Sequence, residues 1–287
     1  MHCLNAGEAD TADLARIQEK SDLQNICREE LPLLSHGHFL PLHQHRAVKL
    51  PESYEAFFRG LSRKNRHELR RHEKILNNAF AGKQHIQCFR GEDELEEMAK
   101  EVDKISEKTY QRAIGAGFKP DDETLGFLRT AAHRGGLRGC VLYLEEQPCA
   151  FFIGNQYKNT FHANYMGFDP KFGKYSPGLS LLMHSIEDSF EASATRIDFG
   201  WGDRQYKRAI CNEVWQDGPI YLYAFSLRGL TLNLLRSGTS FLDLSARKLL
   251  VKFSIFQRTK KSWQSWLQRS RDHNETPKPE PSTEELN

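Results

Sequence analysis

The stretch FDPKFGKYSPGLSLLMHSI, residues 168–186, decides how the chain is read. A β-rich run enters it at Phe168, and a loop follows with Gly173, Pro177 and Gly178. The loop opens directly onto a segment in which Leu179, Leu182, Met183, Ile186 and Phe190 recur on one side of a helix. Strand, loop and helix in that order leave backbone N–H groups near Gly178, Leu179 and Ser180 free at the positive end of the helix dipole. Such a corner receives phosphate, and Lys171 and Lys174 add charge beside it. The same residues also serve as an ordinary helix start, because proline is common in a first turn.

Upstream, residues 137–169 hold three β-rich runs parted by EEQP and YKN, which predicts an antiparallel meander. Downstream, TRIDFGWG (195–202) and PIYLYAFSL (219–227) read as two further strands. Residues 51–80 read as helical, with Ser62 as a cap and Leu69, His72, Leu76 and Phe80 as an apolar seam. In 92–110 the stripe Leu95, Met98, Val102, Ile105 and Thr109 follows an acidic first turn, and a shorter helix before Gly135 and Gly136 completes the set.

Composition narrows the function. The 287 residues carry 40 Lys plus Arg against 38 Asp plus Glu, a formal charge of +2, so overall charge points to no DNA partner. The six cysteines include no CxxC pair and read as reduced thiols, with a cytoplasmic location expected. No leader-like N-terminus and no apolar run of about 18 residues is present, so neither secretion nor a membrane span is expected.

The succession LYLEEQPCAFFIGNQYKNTFHANYMGFDPKFGKYSPGLSLLMHSIEDSF, followed by RIDFGWGDRQYKRAI, resembles the catalytic half of the GNAT acyl-CoA N-acyltransferase superfamily. Within it the chain is most similar to the branch found with bacterial cellulose and polysaccharide synthesis, and distantly to the Fem-type peptidyltransferases. LSRKNRHELRRHEKIL and SEKTYQRAIGAGF share that likeness, which spans about residues 50–225. It implies an α/β fold with a mixed, mostly antiparallel sheet flanked by helices, and acyl-CoA, as acetyl-CoA, for co-substrate rather than a tightly bound cofactor. The expected layout is an irregular lead-in over 1–50 that ends in a strand at RAVKL (46–50), the acyltransferase domain over 51–226, a helical extension over 227–271 and a disordered tail over 272–287. The phosphate loop departs from the family's usual Arg or Gln followed by two glycines, offering Lys174, then Gly178, with Ser180 in the small-residue place. A Fem-type enzyme would use aminoacyl-tRNA instead, and a third reading is a catalytically silent binding module in polysaccharide assembly.

The stretch DFGWGDRQYKRA, residues 198–209, supplies candidates for chemistry. Gly200 and Gly202 let the chain turn at the end of a strand, where ligands enter α/β sheets. Acyl transfer to an amine or hydroxyl needs a base, oxyanion donors and an acid for the leaving thiolate. The resemblance puts Tyr206 where many GNAT enzymes carry a tyrosine acid. Asp203 is read as base or helix cap, Lys207 as neutralising charge or a surface residue, and Trp201 as a cleft wall. His162 and Asn164 alternate on a strand and reach one side of the sheet, as acceptor contacts or, for His162, as a satisfied structural histidine. By the family likeness, backbone near Tyr165 and Met166 would bind the thioester carbonyl across a bulge. The expected acceptor is a small molecule or glycan, on a sugar or cell-envelope precursor.

Three other signals stand beside these. Arg63, Arg66, Arg70 and Lys74 align on one helix face, which reads as a solvated surface or as a site for an anion such as tRNA, CoA phosphate or an acidic glycan. HGHFLPLHQH spaces His36, His38, His43 and His45 as two i,i+2 pairs, but with no Cys or acid among them no metal site is expected. Residues 241–271 mix Phe, Leu and Trp with basic residues, as a helix packed on the domain or one in peripheral contact with a membrane.

Overall fold

The computed structural model describes residues 2–38 and 41–252. In chain order the elements are α1 (His2–Asn5), β1 (Thr11–Gln18), α2 (Asp22–Glu29), β2 (His43–Lys49), α3 (Tyr54–Gly60), α4 (Arg63–Ala79), β3 (Gln84–Phe89), α5 (Leu95–Ser106), α6 (Tyr110–Ala113) and α7 (Asp122–His133). There follow β4 (Leu137–Leu144), β5 (Gln147–Tyr157), β6 (Thr160–Phe168), a 3-10 turn (Pro170–Tyr175), α8 (Pro177–Glu191), β7 (Arg196–Trp201), α9 (Gln205–Ile210), β8 (Glu213–Tyr223) and α10 (Leu227–Lys252). The strands form one eight-stranded sheet in the order β1-β8-β2-β7-β6-β5-β4-β3. Among the described residues only β6 and β7 pair in parallel, as a strand–helix–strand crossover requires.

Two-residue alternation along the meander builds two cores. Cys140, Leu142, Ala150, Phe152 and Phe161 face one way and pack with Leu76 of α4 and Leu181 and Ile186 of α8. Val141, Tyr143, Phe151 and Ile153 face the other way, against Met98 and Val102 of α5 and Leu128 of α7. Local signals set the helices: Ser62 accepts from the Asn65 N–H at the start of α4, and Asp121 accepts from Thr124 at the start of α7.

The lead-in is where expectation and structure part. The expected strand at RAVKL is there as the second half of β2, which lies between β7 and β8, but the rest of 1–50 is not irregular: β1 adds an edge strand paired with β8. Neither carries a plain apolar alternation. β1 is an edge strand broken by a register shift around Arg16, whose φ is +58°. In β2 the inward position expected to be apolar is filled by buried His45. β3 was equally unmarked.

The cysteines also differ from the expectation of reduced thiols, because Cys88 and Cys140 are joined across β3 and β4. By compactness the chain divides into Met1–Ser240 and Phe241–Asn287, with α10 including the boundary. The helical extension is seen through Lys252; the rest of the 241–271 stretch and the tail lie outside the described residues. No described helix is long and apolar enough to cross a membrane.

Candidate active site

The site starts from a gap in the sheet. β6 and β7 pair only at Thr160 with Arg196, Phe161 with Ile197 and His162 with Asp198, and then continue without sharing a register. On the other side of β6, Ile153 faces Tyr165 while Gly154 faces Ala163, so Asn164 is an extra, bulged residue. Bulge and splay together open a cavity of about 1300 Å³. Its walls are Asn164–Phe168 of β6, Phe199–Trp201 of β7, Leu69 and His72 of α4, Leu179 and Leu182 of α8, and Tyr110 and Phe118 beyond α5.

The cavity reaches both faces of the sheet. Leu69, Leu179 and Tyr206 belong to the α4–α8 side, and Phe118 and Tyr165 belong to the α5–α7 side, where their rings lie 5.6 Å apart. Such a passage lets two reactants meet from opposite directions at one break in the sheet.

On the α4–α8 side lies the corner read from Phe168–Ile186. Ser176 takes the left-handed conformation, φ 54° and ψ 45°, and its Oγ is 3.0 Å from His72 Nδ1. Pro177 has no N–H, and the N–H groups of Leu179 and Ser180 both donate to the Ser176 carbonyl. Of the three expected donors, Gly178 alone has no acceptor among the described residues, and Ser180 does not line the cavity. A Cβ on Gly178 would stand 3.2 Å from Phe168 Cδ1, so its absence keeps this corner open. Lys174 does not line the cavity; its ammonium lies 4.8 Å over the Tyr175 ring.

The turn after β7 distributes its residues differently from the sequence reading. Gly200 and Gly202 have φ of +64° and +102°, as a sharp turn demands. Lys207, expected to project, is buried, and its Nζ donates to the carbonyls of Phe199 and Trp201 at 2.6 Å each and of Gly200 at 3.4 Å. It ties off the end of β7. Burial pushes its ammonium down to about 8. Asp203 lies outside the cavity lining, exposed, and paired with Arg46 at 2.7 Å and Arg208 at 3.1 Å. Two guanidiniums occupy the carboxylate, which argues against its acting as a base. Tyr206 lines the cavity with its ring edge-on to Phe199, and burial pushes its hydroxyl up to about 12, so it keeps its proton at neutral pH.

A network that sequence reasoning missed lies at the vertex of the splay. His45 of β2 is clamped between Asp198 of β7, at 2.5 Å from Nε2, and Asp217 of β8, at 2.5 Å from Nδ1. Trp215 stacks on its ring at 4.3 Å, and the Trp201 indole N–H donates to Asp217. Burial alone would lower the His45 pKa, but hydrogen bonds and charge from the two carboxylates outweigh it and raise it above the ordinary imidazole value. Burial also opposes ionisation of Asp198, yet donation from His162, His45 and the Gly200 N–H keeps its carboxyl far below the usual range. His162 Nδ1 lies 3.5 Å from Asp198 on a half-exposed ring, so His162 is the solvent-facing end of the row. The acids thought missing from the histidine cluster come from strands more than 150 residues away. No pattern in 36–45 signals them.

Two further cavity residues escaped notice. The Arg16 guanidinium lies 5.4 Å over Trp201, and that of Arg204 lies 5.1 Å over Tyr110, whose buried hydroxyl has no hydrogen-bond partner among the described residues. Arg66 and Arg70 line a separate groove of about 790 Å³ with Arg63, Lys64 and His67. Arg66 is turned onto the carbonyls of Arg59 and Leu61, and Arg70 sits 5.2 Å over Phe58.

Solved structures share this architecture at low identity. A conserved protein of unknown function from Bacteroides thetaiotaomicron matches with TM-score 0.52 and 14% identity, over 77% of this chain and 72% of that one. The C-terminal domain of a putative lysylphosphatidylglycerol synthetase from Agrobacterium fabrum gives 0.51 and 12%, over 80% and 72%. FemX gives 0.52 and 10%, over 76% and 73%. No curated protein matches the chain significantly. The family model described as an acetyltransferase (GNAT) domain matches residues 63–208, a span from the start of α4 into α9 that holds the meander, the corner and the splay. With just over half its length in that match, the chain belongs to the GNAT acetyltransferase-domain family.

Proposed function

We infer that the protein transfers an acyl group, as acetyl, from acyl-CoA to an amine or hydroxyl acceptor within the splay. One observation carries this reading: the bulge at Asn164 and the short β6–β7 pairing open a cavity to both faces of the sheet beside the start of α8. The donor then enters on the α4–α8 side, with its pyrophosphate near the Gly178 N–H and its pantetheine between the strands. Backbone of β6 beyond Asn164 is freed from pairing with β7 and is available to the thioester carbonyl. An oxyanion there needs such fixed donors.

The acceptor approaches from the α5–α7 side. His162 lies on that face, because its neighbours Phe161 and Ala163 pack on the opposite core. It stands outside the cavity lining, so, held by Asp198, it is suited to take the acceptor's proton through water. Tyr206, neutral and on the donor side, returns a proton to the leaving thiolate. Arg16 and Arg204 have aromatic rather than carboxylate partners among the described residues, which favours an acceptor bearing a carboxylate or phosphate, such as a charged sugar or cell-envelope precursor.

A second reading, aminoacyl-tRNA as donor, draws on the groove lined by Arg63, Lys64, Arg66, His67 and Arg70 and on the likeness to FemX. The test is CoA release from acetyl-CoA against a panel of neutral and anionic amino sugars, run beside transfer from charged tRNA. Faster release with an acceptor supports the acyl-CoA reading. Transfer only from tRNA, weakened and made less salt-dependent in Arg63→Gln/Arg70→Gln, replaces it.

A further inference from the structure

Cys88 and Cys140 stand directly opposite each other in the antiparallel β3–β4 register, although 52 residues apart in sequence. Opposed residues share a face of the sheet. Theirs is the face covered by α8, and from that helix His184 brings Nε2 to 3.8 Å from Cys88 Sγ. The two sulfurs and an imidazole nitrogen all lie within 4.8 Å of one another. Cys140 is buried, while Cys88 and His184 are half-buried, so the cluster is enclosed from the core side and open to small solutes from the other. None of the three lines the splay cavity.

We propose that, when the disulfide is reduced, Cys88, Cys140 and His184 bind one Zn2+, and that the disulfide is the oxidised, metal-free form of the same site. Two thiolates and an imidazole are a donor set that zinc prefers, and a water or small anion completes the tetrahedron from the open side. Zinc–sulfur bonds of about 2.3 Å put two ligating sulfurs about 3.8 Å apart, a separation that side-chain rotation provides from opposed strand positions. Loading is balanced by protons: two thiols and Zn2+ give the dithiolate complex and two H+. Unloading is balanced by electrons: a small-molecule disulfide accepts two from the thiolates, the Cys88–Cys140 bond forms, and Zn2+ leaves with two small thiolates. The metal form would pin β3 and β4 to the middle of α8, the helix whose first turn borders the cavity. The disulfide form ties the strands to each other and leaves the helix held by packing and by the Arg90–Asp188 pair one turn further on.

The full chain, reduced with a phosphine and freed of metal, is titrated with Co2+ as a spectroscopic stand-in and then with Zn2+. The expected result is one Co2+ per chain, with a thiolate-to-cobalt charge-transfer band and tetrahedral d–d bands that Zn2+ abolishes. Protein oxidised with glutathione disulfide should give neither band. His184→Ala, folded by circular dichroism, should bind at least about tenfold more weakly. Absence of the charge-transfer band at equimolar Co2+ overturns the proposal. So does an unchanged titration in His184→Ala or an unchanged band in Cys88→Ser, which would move the metal to other thiols. Should Cys88→Ser fail to fold, the His184 variant and the oxidised wild type still decide the matter.

Discussion

Replacing His45 with Phe removes both hydrogen-bond donors from the clamp while keeping a ring for Trp215 to stack on. The Asp217 side chain is only 2% exposed and would keep the Trp201 indole as donor; Asp198 is 21% exposed and would keep the Gly200 N–H at 2.7 Å. Taking one partner from a buried ion pair costs about 3–5 kcal/mol. Because each carboxylate retains a donor, the lower end applies, about 3 kcal/mol, or a Tm fall of about 6–12 °C for a chain of this size. Thermal and urea unfolding measure it. The pH dependence supplies an independent sign. His45 has a pKa raised above its unfolded 6.5, so its stabilisation is complete below 6.5 and is lost as pH rises through the folded value. Asp198 is depressed from 3.8, so its stabilisation is complete above 3.8 and is lost as pH falls toward the folded value. The clamp therefore contributes most between about pH 4 and 6.5, and His45→Phe should erase the alkaline decline. A loss under about 1 kcal/mol, or an alkaline limb identical to wild type, would refute the reasoning.

Tyr206→Phe should lower turnover by about two orders of magnitude or more with acetyl-CoA affinity nearly unchanged, since only the proton donor is removed; a fall under about threefold assigns the proton elsewhere. Lys207→Met should act on stability first, by about 1–3 kcal/mol in urea unfolding, because three carbonyls at the end of β7 lose their donor. Asp203→Asn should leave turnover within about threefold of wild type, since both arginines already occupy that carboxylate; a loss of about a hundredfold would restore Asp203 as the base.

What the sequence made legible follows from how local each signal is. The meander, α8 and β7 declare themselves because alternation, the Pro-Gly start and the Asp198–Gly202 turn are written in adjacent residues. The second half of β2 is legible as the strand RAVKL, whereas its start is masked by His45 at an inward position, and β1 is not legible because an edge strand needs no apolar alternation. The site is split in the same way. Tyr206, Gly178, Leu179, Asn164, Trp201 and Lys207 line the cavity, but the Lys207 ammonium turns to backbone carbonyls, and Asp203, outside the lining, turns to arginines. The His45 clamp, the Cys88–Cys140–His184 cluster and the arginines on Trp201 and Tyr110 are products of sheet order, which places β2 between β7 and β8 and β3 beside β4. The bulge at Asn164 depends on a register that no single strand encodes.

The central claim is that acyl-CoA occupies the splay with its pyrophosphate at the start of α8. Thermal unfolding with and without acetyl-CoA, in wild type and in Gly178→Glu, tests it most directly. At about one hundred times Kd the ligand should add about 2.7 kcal/mol, a Tm rise of about 5–10 °C. Gly178→Glu, with its own Tm close to wild type, should show no rise, because the new side chain meets Phe168 and puts negative charge at the proposed phosphate position. An equal rise in both proteins, or none in wild type at millimolar acetyl-CoA, would contradict the account.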